Sequence, residues 1–373
     1  MILPAVTDNS LVGRWWWTVD RWTLLAVGLL ATIGAVLVMA ASPAVADRIG
    51  LASFHFVQRQ LIYLGPALAL IVGVSLLSPL AVRRLATLCL LAAVLLMLIA
   101  LLFGVEINGA RRWISMGPFV IQPSEFVKPC LAVITAWMFA EQERSPGFPG
   151  QLISALLLAI VLTLLLAQPD FGMAVVVAAV WFSQFFMAGV AMAWIGGLAF
   201  LGLAGAATAY ALLPHVASRI DRFLDPAAGD SFQVDTSLEA FRSGGLLGRG
   251  PGEGTVKSVL PDAHTDFIFA VAGEEFGLLV CLFIVLLFAF IVLRGFTRML
   301  GEPSYFVLLA TAGLLVQFGM QAVINMGVNL RLMPAKGMTL PFISYGGSSL
   351  IALALTMGMV LAFTRRRDGR RPV

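Results

Sequence analysis

The chain has 373 residues, of which 60% are hydrophobic and only 12% are charged, and its mean hydropathy is +0.95. Charged residues make up about a quarter of a typical soluble domain, so this composition excludes an ordinary water-soluble enzyme and indicates a membrane protein. The formal net charge of +4 comes largely from the arginine-rich C-terminal tail. Arginines there suit anionic lipid headgroups, and nothing in the sequence indicates nucleic-acid binding.

Apolar stretches of about 20 residues are needed to cross a hydrocarbon core of roughly 30 Å. Ten candidates follow one another along the chain, at 22–42, 60–77, 85–104, 126–140, 152–167, 171–188, 191–213, 265–294, 304–327 and 343–364. Those at 126–140 and 152–167 are short, which allows tilted, broken or partly re-entrant helices. The sequence therefore predicts an all-α polytopic membrane protein with about ten transmembrane helices.

Basic residues indicate the orientation of these spans. Arg83, Arg84, Arg294, Arg298 and the tail from Arg365 fall on one side of the membrane. The positive-inside rule then places both termini in the cytoplasm of a multi-pass inner-membrane protein. We expect an N-terminal tail over 1–21, a single transmembrane domain over 22–364 and a basic tail over 365–373.

Two outward-facing loops are far longer than a turn requires. They span 105–125 and 214–264, and the second lies between predicted helices 7 and 8 on the periplasmic side. Loops longer than about 15 residues are usually functional or disordered. The inward-facing loops are short, so the sequence places any chemistry at the outer face.

The motif PDAHTDFIF begins the eighth span. We predict Thr265 as an N-cap, with Asp266 in the first helical turn, where the helix dipole favours a carboxylate. Asp266 is then either a helix cap or a functional acid. His264 between two aspartates imitates a metal site, but a lone histidine is weak evidence. Glu274 and Glu275 follow inside apolar sequence, where acids are either functional or paired with a base.

A second motif, QPSEFVK, begins the fourth span. If Ser124 caps that helix, Glu125 and Lys128 stand three residues apart on one face and can pair. The pair either serves the site or only fixes packing. Upstream, Arg111 and Arg112 lie on the outer surface, where guanidiniums suit phosphate ligands, although interfacial anchoring is the alternative.

Two further motifs complete the outer face. Asp170 lies in the short turn QPDFG, where it is either a functional acid or the cap of the sixth helix. The segment KGMTLPFISYGGSS contains Lys336 and Ser344 and leads into the last span. Its glycines and prolines predict either irregular backbone that lines a cavity or a plain helix-packing seam.

The motifs WISMGPFVIQPSEFVK, QPDFG, LPDAHTDFIFAVAGEEFG and KGMTLPFISYGGSS together resemble the SEDS family, which contains FtsW, RodA and SpoVE. The resemblance covers nearly the whole chain and implies a SEDS-type fold. It also implies a glycosyltransferase that polymerises lipid II into glycan strands with a class B penicillin-binding protein. The string QAVINMGVN and Lys336 are similar to the cell-division members, whereas the segment 331–335 departs from them.

The resemblance implies roles for individual residues. Asp266 corresponds to the family's catalytic aspartate, and Glu125, Lys128 and Asp170 match its other conserved charged positions. We hypothesise that Asp266 is the general base and that Arg111, Arg112, Lys128 or a divalent cation, Mg²⁺ or Mn²⁺, stabilises the leaving pyrophosphate. Lys336, Ser344 and His264 are expected to support substrate binding.

We expect lipid II, the nascent glycan strand, the class B penicillin-binding protein, other division proteins and membrane lipids as partners, at the division septum. Three alternatives remain from the sequence. They are an elongation polymerase of the RodA type, a lipid II flippase and a non-enzymatic scaffold of the division machinery.

Overall fold

The computed structural model describes residues 10–107, 109–117, 119–190, 192–225, 232–334 and 336–366. Its helices are α1 (Leu11–Thr18), α2 (Arg21–Arg48), α3 (His55–Ser75), α4 (Pro79–Phe103), α5 (Pro123–Arg144), α6 (Gly150–Ala167), α7 (Phe171–Met187), α8 (Met192–Leu212), α9 (Pro214–Leu224), α10 (Phe232–Gly244), α11 (Ile268–Met299), α12 (Tyr305–Asn329) and α13 (Gly347–Thr364). The strands are β1 (Val105–Ile107), β2 (Ala110–Met116) and β3 (Phe119–Ile121), and a 3₁₀ turn covers Val256–Ser258.

Each of the ten apolar stretches predicted from the sequence overlaps one helix, from α2 to α8 and from α11 to α13. Within the described ranges, seven of these helices are long and apolar enough to cross a membrane: α2, α3, α4, α6, α11, α12 and α13. Helix α7 is a shorter apolar helix, and α5 has 22 residues with charges at both ends. The architecture is that of a polytopic helical membrane protein.

Helix α4 displays the two faces that lipid contact requires. One face exposes leucines at helical spacing, namely Leu88, Leu91, Leu95, Leu98 and Leu102. The opposite face buries Val82, Ala86, Ala93 and Met97 against the bundle. A continuous apolar stripe of this size would be unfavourable in water, so it is explained by contact with acyl chains.

Helices α12 and α13 form the centre of the bundle. Within an 18-residue apolar stretch of each helix, 67% of the residues of α12 and 83% of those of α13 are buried, compared with 22% in α3 and in α6. Helix α5, which begins at the QPSEFVK motif, packs between α4 and α12. These three helices therefore share one core. The polar motifs singled out from the sequence meet at the outer ends of these central helices.

The outer loops have more regular structure than we predicted. Segment 105–125 contains a small antiparallel sheet of order β1-β2-β3, which pairs Glu106 with Arg111 and Ser115 with Val120. Segment 214–264 contains α9, α10 and the 3₁₀ turn. These elements were not identified from the sequence, because short strands and polar helices leave no long apolar run to detect.

Helix α11 is broken at Gly277, whose φ of +76° is incompatible with a regular helix. Backbone groups of the preceding segment replace the lost helical hydrogen bonds. Leu278 N–H donates to the Gly245 carbonyl at 3.0 Å, and Gly250 N–H donates to the Glu275 carbonyl at 3.0 Å. The break is thus satisfied by the chain between α10 and the 3₁₀ turn.

The two acids beside this break are structural. Glu274 accepts backbone N–H bonds from Val256 at 2.7 Å and Lys257 at 2.8 Å, and Glu275 pairs with the Lys257 ammonium. Both acids are fully buried. Glu275 is therefore paired with a base, as one alternative predicted, whereas Glu274 is held by backbone N–H groups.

Candidate active site

A cavity of about 670 Å³ opens at the outer end of the bundle. This volume lies within the usual range for ligand sites. Its acidic lining residues are Glu125, Asp170, Asp262 and Asp266, and its basic lining residues are Arg59, Arg112, Arg219, Arg331 and Lys336. The basic residues of such a cavity can bind an anionic ligand, and its carboxylates can accept or donate a proton.

Asp266 is presented to this cavity by a turn, not by a helix N-terminus. Helix α11 begins at Ile268, so the predicted N-cap at Thr265 was wrong. The physical reason is the left-handed conformation of Asp262, with φ +52°, whose carbonyl accepts the N–H groups of Thr265 and Phe267. This turn leaves the Asp266 side chain on the cavity wall.

The backbone of Asp266 is held from helix α12. Its carbonyl oxygen accepts hydrogen bonds from the side-chain amides of Asn325 and Asn329, each at 2.9 Å. Asn329 also accepts the N–H of Ala270 at 3.1 Å. Because these bonds use the backbone, the carboxylate stays available for chemistry.

The carboxylate of Asp266 has an unusual protonation equilibrium. Burial raises its pKa to about 7, and the negative charge of Asp262 acts in the same direction, while Arg219 and Lys336 oppose the shift. A methyl group at Gly337 would lie 2.9 Å from Oδ2 of Asp266, so the chain next to Lys336 passes directly over the carboxylate. Such a group can take up a proton near neutral pH.

Lys336 contributes a cation to the same wall. Its Nζ is buried and makes no hydrogen bond to any residue in the described part of the chain. Burial lowers its pKa to about 7, and the charges of Asp170 and Glu125 oppose that shift. Its aliphatic stem packs against Gly172, where a larger residue would collide with it. A buried ammonium with free donors is suited to a phosphate oxygen.

The predicted pair of Glu125 and Lys128 is confirmed, with Oε2 and Nζ 2.8 Å apart. Lys128 also donates to Oε1 of Gln321 at 2.9 Å, which connects α5 to α12. Lys128 does not line the cavity, whereas Glu125 does. The predicted cap at Ser124 was wrong, because the helix already begins at Pro123 and Gln122 is its N-cap.

The neighbouring arginines of β2 point in different directions. Arg112 lines the cavity, donates to the Gln168 carbonyl at 2.8 Å and lies 3.5 Å from Asp170. Arg111 pairs with Glu106 at 3.3 Å on the exposed surface and is not part of the cavity wall. Side chains alternate along a strand, which explains why only one of the two reaches the site. Asp170 also caps α7 by accepting the N–H of Met173 at 3.1 Å, as one reading predicted.

Ser344 and His264 support the turn of Asp266 and do not line the cavity. Ser344 donates to the Thr265 carbonyl at 2.6 Å, and the His264 carbonyl accepts the N–H of Tyr345 at 2.9 Å. The His264 ring packs 4.1 Å from Phe56, and burial together with the charge of Arg48 lowers its pKa to about 4. Both residues therefore act on substrate only through the backbone that they hold.

Several cavity residues were not singled out from the sequence. Arg59 and Tyr63 lie on α3, Arg219 on α9, and Arg331 just after α12. Arg59 had a detectable signal, since it interrupts an otherwise apolar span near the outer end, against the positive-inside trend. Arg331 pairs with Asp235 at 3.2 Å and had no comparable signal.

No three His, Cys, Asp or Glu side chains come together as metal ligands within the described ranges. The charge of Asp262 nevertheless raises the pKa of Asp266, so these two carboxylates are close enough to interact. Mg²⁺ commonly binds through one or two carboxylates plus substrate phosphates. The donor set is compatible with a cation that arrives with a pyrophosphate.

The sequence profile of the family described as "Cell cycle protein", which comprises FtsW, RodA and SpoVE, matches residues 21–368. The chain belongs to this family. A FtsW/RodA/SpoVE relative from Caulobacter vibrioides, named probable peptidoglycan glycosyltransferase FtsW, is 47% identical over 98% of this chain and 94% of its own length. Stage V sporulation protein E of Bacillus subtilis is 34% identical over 90% of this chain and 94% of its own length.

Solved structures of the family have the same fold. One, described as a peptidoglycan synthase complex that coordinates polymerization and crosslinking, is similar with a TM-score of 0.76 at 30% identity, over 93% of this chain and 97% of the other. RodA of Thermus thermophilus is similar with a TM-score of 0.68 at 29% identity, over 95% and 99% of the two chains. The FtsW/RodA/SpoVE fold therefore extends over nearly the whole chain.

Proposed function

We propose that this protein is a peptidoglycan glycosyltransferase that polymerises lipid II into glycan strands at the outer face of the inner membrane. The observation that carries the proposal is that one cavity at the outer end of the bundle is lined by both a carboxylate, Asp266, and an ammonium without a hydrogen bond among the described residues, Lys336. The names of the relatives support the same activity, and those named FtsW support a role in septal synthesis during cell division.

The reaction joins two lipid-linked disaccharides. The 4-hydroxyl oxygen of the acceptor sugar attacks the anomeric carbon of the donor, and the bond from that carbon to the pyrophosphate oxygen breaks with inversion. The hydroxyl proton passes to Asp266, whose pKa of about 7 suits a general base. The bonding electrons leave with the lipid pyrophosphate.

Lys336 is the cation that best fits the leaving pyrophosphate. Its ammonium has no competing hydrogen bond among the described residues, whereas Lys128 is committed to Glu125 and Gln321. Arg112 is likewise engaged by two backbone carbonyls and Asp170. We therefore assign leaving-group stabilisation to Lys336 in place of the earlier candidates Arg111, Arg112 and Lys128. Charge stabilisation of this kind is usually worth several kcal/mol in a transition state.

A divalent cation, Mg²⁺ or Mn²⁺, would be held by Asp262 and Asp266 together with the pyrophosphate, and would neutralise charge on that group. Titration of Mg²⁺ against polymerisation rate in chelator-treated protein tests this part separately. A rate that does not change over the titration would remove the cation from the proposal.

The structural similarity to a synthase complex supports a cross-linking partner, which we propose to be a class B penicillin-binding protein. A flippase is less well supported. Deeper in the bundle, a cavity next to Lys128 and Gln184 has a volume of about 10 Å³, which holds about one water molecule. A disaccharide headgroup cannot pass through a space of that size.

The test is polymerisation of labelled lipid II by the purified protein with its partner, comparing Asp266→Asn with the wild type. Loss of general-base assistance lowers turnover by about 10²- to 10⁴-fold. Glu302→Gln makes the same chemical change on the opposite membrane face and is the matched control. Near-normal glycan synthesis by Asp266→Asn would refute the assignment, and unchanged recruitment of the partner without any synthesis by wild type would favour the scaffold.

A further inference from the structure

Helix α1 lies at the membrane face opposite the catalytic cavity. The indole N–H of Trp15 donates to Oγ of Ser75 at 2.7 Å, at the end of α3 that is remote from Arg59. The Thr18 carbonyl accepts the N–H of Arg366 at 3.0 Å, just after α13 ends. Two of its residues therefore fix α1 against the inner ends of two spans.

The other side of α1 is aromatic and uncovered. Trp16 and Trp17 are 45% and 52% exposed, and Trp22 at the start of α2 is 61% exposed. Tryptophans are enriched where hydrocarbon meets headgroups, since the ring prefers that boundary to either phase. Three such rings within seven residues, two on α1 and one at the start of α2, are typical of a segment at the level of the lipid headgroups.

Arg21 brings positive charge onto these rings. Its guanidinium lies 5.5 Å from the Trp16 ring and 4.7 Å from the Trp17 ring, and within the described part of the chain it makes no hydrogen bond or ion pair. Its N–H donors are therefore available to an external acceptor. Arg14, which is exposed on α1, adds a second positive charge near the turn between α1 and α2.

Two nearby arginines on the same face differ from Arg14 and Arg21 because each forms an ion pair with another residue that the structure describes. Arg294 and Arg298 at the end of α11 both contact the buried carboxylate of Asp20, at 2.7 and 3.2 Å. That acid is thereby neutralised internally, so it does not offset the charges of Arg14 and Arg21. The surface of α1 keeps a net positive charge next to three exposed indoles.

We propose that α1 and the turn that follows it form a headgroup site for an anionic phospholipid of the inner leaflet. The guanidiniums of Arg21 and Arg14 bind the lipid phosphate, and the rings of Trp16 and Trp17 cover the first carbons of its acyl chains. Charge complementarity identifies the occupant, because the lipid surface on the positive-inside face is anionic. This site is separate from the cavity and does not depend on the reaction proposed there.

The test is native mass spectrometry of the full-length protein, released from detergent and titrated with phosphatidylglycerol or phosphatidylcholine. We expect tighter binding of the first phosphatidylglycerol, and a loss of about fivefold in that preference for each arginine removed in Arg14→Gln and Arg21→Gln. Arg84→Gln, an exposed arginine on the same face, is the control and keeps the wild-type preference.

Two outcomes would overturn the proposal. One is an unchanged preference for phosphatidylglycerol in the Arg14→Gln/Arg21→Gln variant. The other is an equal loss in Arg84→Gln, which would mean that the whole basic face attracts lipid without a defined site. If the double variant fails to elute as a monodisperse species, Trp16→Leu provides the second measurement. It removes one of the two rings beside Arg21 while it keeps an apolar side chain there, and it is expected to lower the same preference.

Discussion

The substitution of Lys336 by arginine separates the two proton equilibria in the cavity. With a pKa of about 7, Asp266 is about half ionised at pH 7 and only about one tenth ionised at pH 6. The ammonium of Lys336, also with a pKa of about 7, is lost over the next pH unit above neutrality. A reaction that needs both charges therefore has a bell-shaped pH profile with its maximum close to pH 7.

Lys336→Arg keeps the positive charge at every accessible pH, since a guanidinium has a pKa above about 12. We expect the alkaline limb of the profile to disappear while the acid limb remains. Lys336→Met removes a charge that lowers the pKa of Asp266, so its acid limb should move to higher pH and its maximal rate should fall.

The assay is the initial rate of labelled lipid II polymerisation at subsaturating substrate, between about pH 5.5 and 9. Subsaturating conditions report the pKa values of the free enzyme. An alkaline limb in Lys336→Arg identical to that of the wild type would refute the role of this ammonium. An unshifted acid limb in Lys336→Met would show that the charge of Lys336 does not affect the pKa of Asp266.

Three further substitutions test how the site is held. Lys128→Ala strands the buried carboxylate of Glu125 and should destabilise the protein by about 3–5 kcal/mol, read as a lower unfolding midpoint in detergent. Asn329→Ala removes a hydrogen bond to the Asp266 carbonyl and should lower the polymerisation rate more than tenfold with a smaller effect on unfolding. Gly277→Ala forces a side chain into a left-handed conformation against the adjoining backbone and should cost more than about 1–2 kcal/mol.

Controls for these substitutions are available in the same chain. Gly28→Ala lies on α2, where an added methyl group meets no atom within 4 Å, so it should leave the unfolding midpoint unchanged or slightly raised. Restoring neutrality in Lys128→Met/Glu125→Gln should recover part of the stability lost in Lys128→Ala. Equal unfolding midpoints for the single and double variants would contradict the stranded-charge explanation.

The sequence predicted the transmembrane helices well because a long apolar run has few alternatives to a helix in lipid. It also predicted the pairing of Glu125 with Lys128, since spacing along a helix determines which side chains meet. It failed at the outer layer, where β1 and β3 have three residues each and α9 and α10 are short helices that contain several charged residues. Such short elements leave no long apolar run to detect.

The candidate site was predicted in part. Asp266 and Lys336 were identified and do face one cavity, but the Ser344 side chain bonds to the Thr265 carbonyl and the His264 ring packs against Phe56. The direction of a side chain in irregular backbone depends on tertiary contacts, so the motif KGMTLPFISYGG could not separate its cavity residues from its supporting ones. Arg59 was missed because it lies just before the apolar stretch 60–77 and outside the polar motifs that were singled out.

The interruption of α11 at Gly277 divides that helix into an outer part and an inner part. Its outer part, which follows the turn of Asp266, is joined by hydrogen bonds to the chain around 245–257, while its inner part packs within the bilayer. Hydrogen bonds therefore connect the extracytoplasmic segment around 245–257 to the outer part of α11, which follows the turn of Asp266. The two parts of α11 meet at Gly277, whose φ of +76° interrupts the regular helix.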